Sequence, residues 1–379
     1  MKIAIMTQPL GKNYGGIIQA WALQQVIKNT GHEPVTIDRQ SDAKGPFYRA
    51  SRLGYRIFQK VQGKRKVPIN FERHFPYILQ HTLSFVDQHL RMSEPLDSTT
   101  KLKLHFEREH YDAVIVGSDQ TWRPKYSPSI GNFFLDFLQD LNIKRVAYAT
   151  SFGVDEWEFT EEQTRRCTQL AKQFDAISVR ENTAVDLCKN YLGVKATHVL
   201  DPTLLVERQA YEALFKTKQI PVRQGIYTYI LDQAEWKSQV VETAKLVLNK
   251  PQYSNQPKTA ASNLVSKNLS DYFMPSLEGW VQGFADADFV ITDSYHGTVF
   301  SIIFNKPFIT LINPGRGVTR FSSLLGELGL MDRLVTDYDQ AKIDKLSKQE
   351  INYPQVNVNL QRIKIASERF LQGQVGSST

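Results

Sequence analysis

Short apolar runs alternate along the chain with longer stretches in which apolar residues recur every three or four positions. The runs at 2–7, 35–38, 111–116, 145–150, 176–179, 225–231, 289–291 and 308–312 predict buried strands. The periodic stretches at 17–31, 160–172, 235–249, around Trp280, 321–328 and 358–371 predict helices, the first closed by Gly31. Strand, helix, strand in steady alternation is the βαβ unit of parallel α/β sheets. At 379 residues the chain is long enough for two such domains. The expected division is 1–210 for the first and 211–345 for the second, with the join near 206–224 and a last helical segment, 346–379, packing back on the first. Residues 44–103 break the rhythm. Within them, Arg49, Arg52, Arg56, Lys60, Lys64, Arg65 and Lys66 interleave with Phe47, Tyr48, Leu53, Tyr55, Ile57 and Phe58, predicting a basic, aromatic, partly helical insertion. A second amphipathic segment follows at 71–91.

Polar residues gather where predicted strands end. After the strand at 289–291 come Thr292, Asp293, Ser294, Tyr295, His296 and Gly297, and helical spacing resumes from Thr298 until Asn305-Lys306-Pro307 stops it. In parallel sheets ligands sit beyond the carboxyl ends of strands, where helix N-termini present unpaired N–H groups. This turn therefore reads as an anion site with an acid/base group. It also reads as a helix cap, with Thr292 or Asp293 at the N-cap and His296 in the first turn. Ser118, Asp119, Gln120 and Trp122 follow the strand at 111–116. They are residue types that hold sugars, by hydrogen bonds and an aromatic face, or that make an Asx-turn above a core tryptophan. The glycine-rich turn at 8–16 has neither dinucleotide nor Walker spacing. It is a tight βα turn or a cleft wall to which Asn13, Tyr14, Gly15 and Gly16 contribute. Arg180 ends the strand at 176–179, where its fork suits a carboxylate or phosphate, or an ion pair with Glu181 or another acid. Arg316 and Arg320, in the loop at 315–320, are two further anion-binding candidates.

Composition narrows the partners. Hydrophobic residues make up 41% and charged residues 22%, a globular balance. No apolar run approaches the ~18 residues of a membrane span. The opening MKIAIMTQPLG lacks the long apolar core of a signal peptide. Cys167 and Cys188 form no disulfide framework, so the expected compartment is the reducing cytoplasm. The net charge of +7 favours nucleic acid, an anionic membrane face or a phosphorylated substrate. No nucleic-acid motif is present, so nucleic acid is set aside. The basic insertion is either a solvated helix or a contact with the inner face of an anionic membrane or a lipid-pyrophosphate acceptor. No metal-ligand cluster is apparent.

Taken together and in order, NYGGIIQAWALQ, GSDQTWRP, AYATSFG, ISVRE, LDPTLL and DFVITDSYHGTVFSIIFNKPF resemble the polysaccharide pyruvyl transferases. The resemblance covers most of the chain from Lys2 to Phe308 and leaves 44–103 without a sharp motif. It implies two Rossmann-like domains facing a cleft, similar to GT-B glycosyltransferases. It also implies transfer of a pyruvyl group from phosphoenolpyruvate, as co-substrate and without another cofactor, to a sugar of a surface polysaccharide or its lipid-linked precursor, forming a ketal. In that family an SVR-type arginine and an arginine–x–histidine pair hold the donor. Arg180 and His296 match; Ser294 stands where the second arginine would be. The implied assignment makes His296 and Asp119 catalytic. Arg180, Ser294, Tyr295, Gly297, Thr298, Arg316 and Arg320 surround the donor. Asn13, Tyr14, Gly15, Gly16, Ser118, Gln120 and Trp122 surround the acceptor. With an arginine missing, a GT-B-like glycosyltransferase using a nucleotide sugar is the alternative.

Overall fold

A computed structural model describes residues 1–138, 141–260, 263–312 and 317–376. The first sheet contains β1 (Lys2–Met6), β2 (Glu33–Ile37), β3 (Ala113–Gly117), β4 (Lys144–Thr150), β5 (Ala176–Val179) and β6 (Thr197–His198). Their order is β2-β1-β3-β4-β5-β6, and every pairing is parallel. The second sheet contains β7 (Ile226–Tyr229), β8 (Gln252–Tyr253), β9 (Phe289–Thr292), β10 (Phe308–Leu311) and β11 (Leu334–Val335). It runs β11-β10-β9-β7-β8, again wholly parallel. Residues 3–6, 113–116 and 289–291 are buried throughout, as continuous apolar runs covered on both faces must be. The molecule thus has two parallel-sheet α/β domains.

The strand order reverses between β1 and β3 in the first sheet and between β7 and β9 in the second. Adjacent connections leave such a point in opposite directions and open a crevice at the strands' carboxyl ends. The polar turns after β1, β3 and β9 all emerge there.

One apolar cluster joins the domains, running from Ile3 and Ile5 to Tyr227 and Val290. At its centre Tyr14, opening the helix Tyr14–Asn29, stacks on Trp280 of the helix Leu277–Asp286 at 5.5 Å and donates its hydroxyl to Pro275 O at 2.6 Å. Trp280 is fully buried, and truncating such a residue to alanine typically costs about 3–5 kcal/mol. The helix Tyr353–Val375 spans both domains. Ser367 Oγ accepts from Leu200 N–H at 2.9 Å, and Tyr353 donates to Ser301 O at 3.3 Å.

Several elements differ from the sequence pattern. The expected join at 206–224 contains the helix Arg208–Lys216, whose Tyr211 packs on Trp21 at 5.3 Å. β8 and β11 have two residues each, too few to show a period. The helix after β9 starts at Tyr295, three residues before the apolar spacing resumes, because Ser294 is its N-cap.

Candidate active site between the two sheets

The first domain supplies a buried ionic cluster. Arg180 follows the last residue of β5, and its backbone N–H still pairs with Thr150 O at 3.1 Å, which fixes the side chain at the strand end. Asp201 caps the short turn Pro202–Leu204. Its Oδ1 accepts from Thr203 N–H at 3.0 Å and Thr203 Oγ1 at 2.6 Å, leaving Oδ2 to accept from Arg180 Nη1 at 2.8 Å. Glu181 Oε1 lies 3.4 Å from Arg180 Nε and accepts from Ser151 Oγ at 2.5 Å.

The second domain brings His296, in the first turn of the helix Tyr295–Ile303, within 3.6 Å (Nε2) of Asp201 Oδ2. At that distance the two groups face each other without a hydrogen bond. Gly15 lies against the histidine, and a Cβ on Gly15 would overlap the imidazole. Arg180 sits over the Tyr295 ring at 4.6 Å, and Arg320, from the helix Thr319–Leu328, lies 5.8 Å from the same ring. Two guanidiniums from different domains therefore converge on one aromatic platform.

Burial and charge compete at each group. Burial alone would raise the Asp201 pKa, but His296, Arg180 and Thr203 hold it well below the usual carboxylate range. Burial works against charge on Arg180 too, and Glu181 and Asp201 overcome it, so the net shift is upward. Arg320 is pushed down to about 10 by burial and then by Arg180. Burial, reinforced by Asp201, raises Tyr295 and keeps its phenol protonated. Within this cluster Arg180 Nη2, Glu181 Oε2 and His296 Nε2 are buried without a hydrogen-bond partner. Buried polar atoms are rarely orphaned, so a donor, an acceptor and an imidazole nitrogen left unpartnered together make this the candidate ligand site.

A cleft of about 1070 Å³ reaches Asn13 and Tyr14, next in the chain to Gly15, and none of the ionic cluster's side chains lines it. Lys12, Asn13 and Tyr14 form one wall, and 228–233 with Gln252, Ser254 and 256–260 form the other. Among the described residues, no group of three or more His, Cys, Asp and Glu is placed to hold a metal ion.

Residues 13–314 match the sequence pattern of the family described as polysaccharide pyruvyl transferase. The chain belongs to that family. No curated protein matches it. Among solved structures, a Staphylococcus aureus MnaA co-structure with UDP aligns at 14% identity and a TM-score of 0.52, covering 98% of this chain and 95% of that one. UDP-N-acetylglucosamine 2-epimerase from Rickettsia bellii aligns at 11% and 0.51, covering 99% of each chain. The Methanocaldococcus jannaschii UDP-GlcNAc 2-epimerase aligns at 13% and 0.50, covering 93% of each. At these identities the likeness is one of fold: this pyruvyl transferase family member has the two-domain GT-B-type architecture.

The structure brings together Gly15, Arg180, Tyr295, His296 and Arg320. Asp119 is half-buried beside Gly16 at the same strand-end edge. Asn13 caps its helix by accepting from Gly15 N–H at 3.0 Å and lines the cleft. Gln120 is half-buried and accepts from Arg123 Nη1 at 3.1 Å. Arg316 lies outside the described residues.

Other expected ligand contacts are corrected. Trp122 is fully buried, stacks on Phe134 at 4.6 Å and donates its indole N–H to Phe133 O at 2.9 Å, so its face belongs to the core under the first sheet and not to a sugar. Ser118 is fully buried and donates to Gln19. Tyr14 borders the cleft, but its hydroxyl is committed to Pro275 O across the domains. Thr298 Oγ1 is buried between Ser294 O (3.2 Å) and Thr310 Oγ1 (2.8 Å), fastening the helix to β10. Gly297 is a packing glycine, since a Cβ there would overlap Thr292. Ser294 Oγ serves the helix by accepting from Gly297 N–H at 3.4 Å. Asp293, expected as a possible cap of this helix, turns instead to the β7 side and pairs with Lys237.

Asp201 escaped the residue-by-residue reading although LDPTLL contains it. Its signal was an acid placed directly after an apolar pair and before proline, three residues beyond the edge strand β6. The approach of Gly317 to Gly153 carried a fainter signal. Both have positive φ (+83° and +76°), and a Cβ on Gly317 would overlap Gly153 O, so the backbones of the two domains touch there.

Proposed function

We propose that this family member transfers the pyruvyl group of phosphoenolpyruvate to two hydroxyls of a sugar in a surface polysaccharide or its lipid-linked precursor, closing a ketal. The observation that carries this reading is the buried, unpartnered Nη2 of Arg180, set beside Arg320 and His296 where the two domains meet. Arg180 holds one anionic group of the donor through its free edge. Arg320 supplies the second cation that position 294 lacks. His296 delivers a proton to C3, and the positive charge that develops at C2 is attacked by the first sugar hydroxyl. The C2–O bond to phosphate breaks, and the second hydroxyl takes its place. One hydroxyl proton ends on the new methyl group and the other on the departing phosphate. His296 recovers the first hydroxyl's proton after protonating C3, and Asp119 takes the second hydroxyl's proton and passes it to the departing phosphate. The 1070 Å³ cleft is the acceptor's place.

A second reading, a glycosyltransferase using a nucleotide sugar, draws on Ser294 and on the likeness to a fold solved with UDP. Ligand-induced thermal stabilisation of the full chain separates the two. Phosphoenolpyruvate at about 100 times its dissociation constant should add roughly 2.7 kcal/mol, and UDP-sugars should add nothing. Stabilisation by a UDP-sugar alone would overturn the pyruvyl assignment. Release of inorganic phosphate from phosphoenolpyruvate when a sugar acceptor is added is the confirming measurement.

A further inference from the structure

The helix Pro46–Val61 is held to the protein by the wrong face for an ordinary surface helix. At 100° per residue Phe47, Ala50, Leu53, Gly54, Ile57, Phe58 and Val61 fall within an arc of about 140°. None of the sixteen residues is buried. Phe47 is 88% and Val61 82% exposed, and Phe58, Leu53 and Ile57 are exposed as well. The side that meets the body is the charged one: Arg56 and Arg52 reach Glu72 (Arg52 at 3.2 Å), and Arg56 Nη1 donates to Ile69 O at 3.0 Å. The apolar arc is turned outward.

Charge identifies what covers it. Between Lys44 and Lys66 there are eight lysines and arginines and no acidic residue, which leaves 38 cations against 39 anions in the rest of the chain. The net positive charge of the protein therefore resides in this one segment. Arg49 and Lys60 flank the apolar arc, and Lys44 and Lys64 lie at its two ends. Tyr48 and Tyr55 sit on the other flank, amphipathic side chains suited to a boundary between water and hydrocarbon. A second copy of the chain would set the same cations against each other. We infer that this helix is an interfacial anchor that lies in the surface of an anionic bilayer, its apolar arc among the acyl chains and its flanking cations at the lipid phosphates. The anchor sits at the rim of the cleft: Lys66 N–H donates to Leu264 O at 2.9 Å, and the neighbouring Val265 lines the cleft together with Phe75 and Leu79.

The test is co-sedimentation of the full chain with vesicles of phosphatidylglycerol or of phosphatidylcholine at low salt, with analytical ultracentrifugation of the same samples without lipid. The parent should bind phosphatidylglycerol and be released by salt. Replacing Arg49, Lys60 and Lys64 with glutamine should weaken binding on the order of 100-fold, at about tenfold or less per cation. Replacing Phe47, Phe58 and Val61 with serine should weaken it by roughly tenfold or more, with melting temperature unchanged because all three are exposed. Absence of parent binding to phosphatidylglycerol would overturn the inference. So would full binding by the serine variant, which would make the contact electrostatic without insertion. A parent dimer that the serine variant converts to monomer, with no vesicle binding, would assign the face to a second copy instead.

Discussion

Two buried ion pairs stand at strand ends on the two sides of the molecule, and they differ in what they leave unsatisfied. Asp293 and Lys237, in the second domain, are 2.6 Å apart. Asp293 also accepts from Leu231 N–H at 2.7 Å and Asp232 N–H at 3.1 Å, and Lys237 donates to Asp232 O at 2.9 Å. The aspartate thus bolts the β9 turn to the β7 turn across the crevice where strand order reverses. Arg180 and Asp201, in the first domain, are equally buried and 2.8 Å apart, yet Arg180 Nη2, the neighbouring Glu181 Oε2 and the facing His296 Nε2 have no hydrogen-bond partner. Burial and pairing are shared by both clusters. A donor, an acceptor and an imidazole nitrogen left unsatisfied at one place are what single out the first cluster as the candidate ligand site.

The contrast can be broken most decisively at His296. His296→Gln should lower turnover by about 10²–10⁴-fold while melting temperature barely moves. A stable variant with full turnover would place His296 with the bracing residues. Asp293→Asn should do the opposite. It leaves Lys237 buried without its partner and should destabilise by roughly 3–5 kcal/mol, with turnover per folded molecule retained. Chemical denaturation beside single-turnover kinetics on the same sample reads both quantities.

Acid sharpens the comparison from another side. The Asp201 pKa is lowered in the folded state, so the folded protein binds fewer protons there than the unfolded chain, and stability rises with pH across the acid range. The contribution is fully present above the ordinary carboxylate pKa of about 3.9 and is lost as pH falls toward the folded value. Asp201→Asn should flatten that part of a stability-against-pH curve, and an unaltered acid limb would show that the aspartate is not held low. Arg180→Lys keeps a cation but loses the second prong. Donor affinity should fall by about 10- to 100-fold, the worth of one charge-assisted hydrogen bond, as measured by calorimetry with phosphoenolpyruvate. The smallest effect is expected at Ser294. Its alanine variant loses an N-cap and about 1 kcal/mol, with donor affinity unchanged if the serine is purely a cap.

The sheets were legible because their strands are continuous apolar runs, and the strand-end position of Arg180 and the polar turn at 292–297 could be read from the same runs. Which side chain of a polar turn faces the cleft could not. Ser118, Asp119, Gln120 and Trp122 are consecutive or nearly so, and a rotation of the turn sends Trp122 into the core while Asp119 stays at the edge. Thr298 looked like a first-turn ligand residue, but Ser294 starts the helix earlier and carries the threonine round to β10. Asp201 lies 21 residues from its partner Arg180, and their pairing depends on β6 returning beside β5, which no local period reveals. The outward apolar arc of the Pro46–Val61 helix was visible as a pattern, but its direction was set by Glu72, outside the helix.

The split of the site between domains has a kinetic meaning. His296 arrives with one half of the molecule and the Arg180–Asp201 pair with the other, so the proposed constellation exists only while the halves are pressed together. Direct hydrogen bonds such as those from Tyr14 to Pro275 O and from Asn182 N–H to Ser323 Oγ at 3.1 Å cross the divide, and the Tyr353–Val375 helix crosses it as a continuous rod. Parting the halves about that rod would admit and release substrates, and it would also disarm the chemistry by removing the imidazole from the bound anion. Water would then meet the donor only when the acid is absent. In the proposed reaction, parting of the halves joins proton transfer as a step that bounds how fast the enzyme cycles.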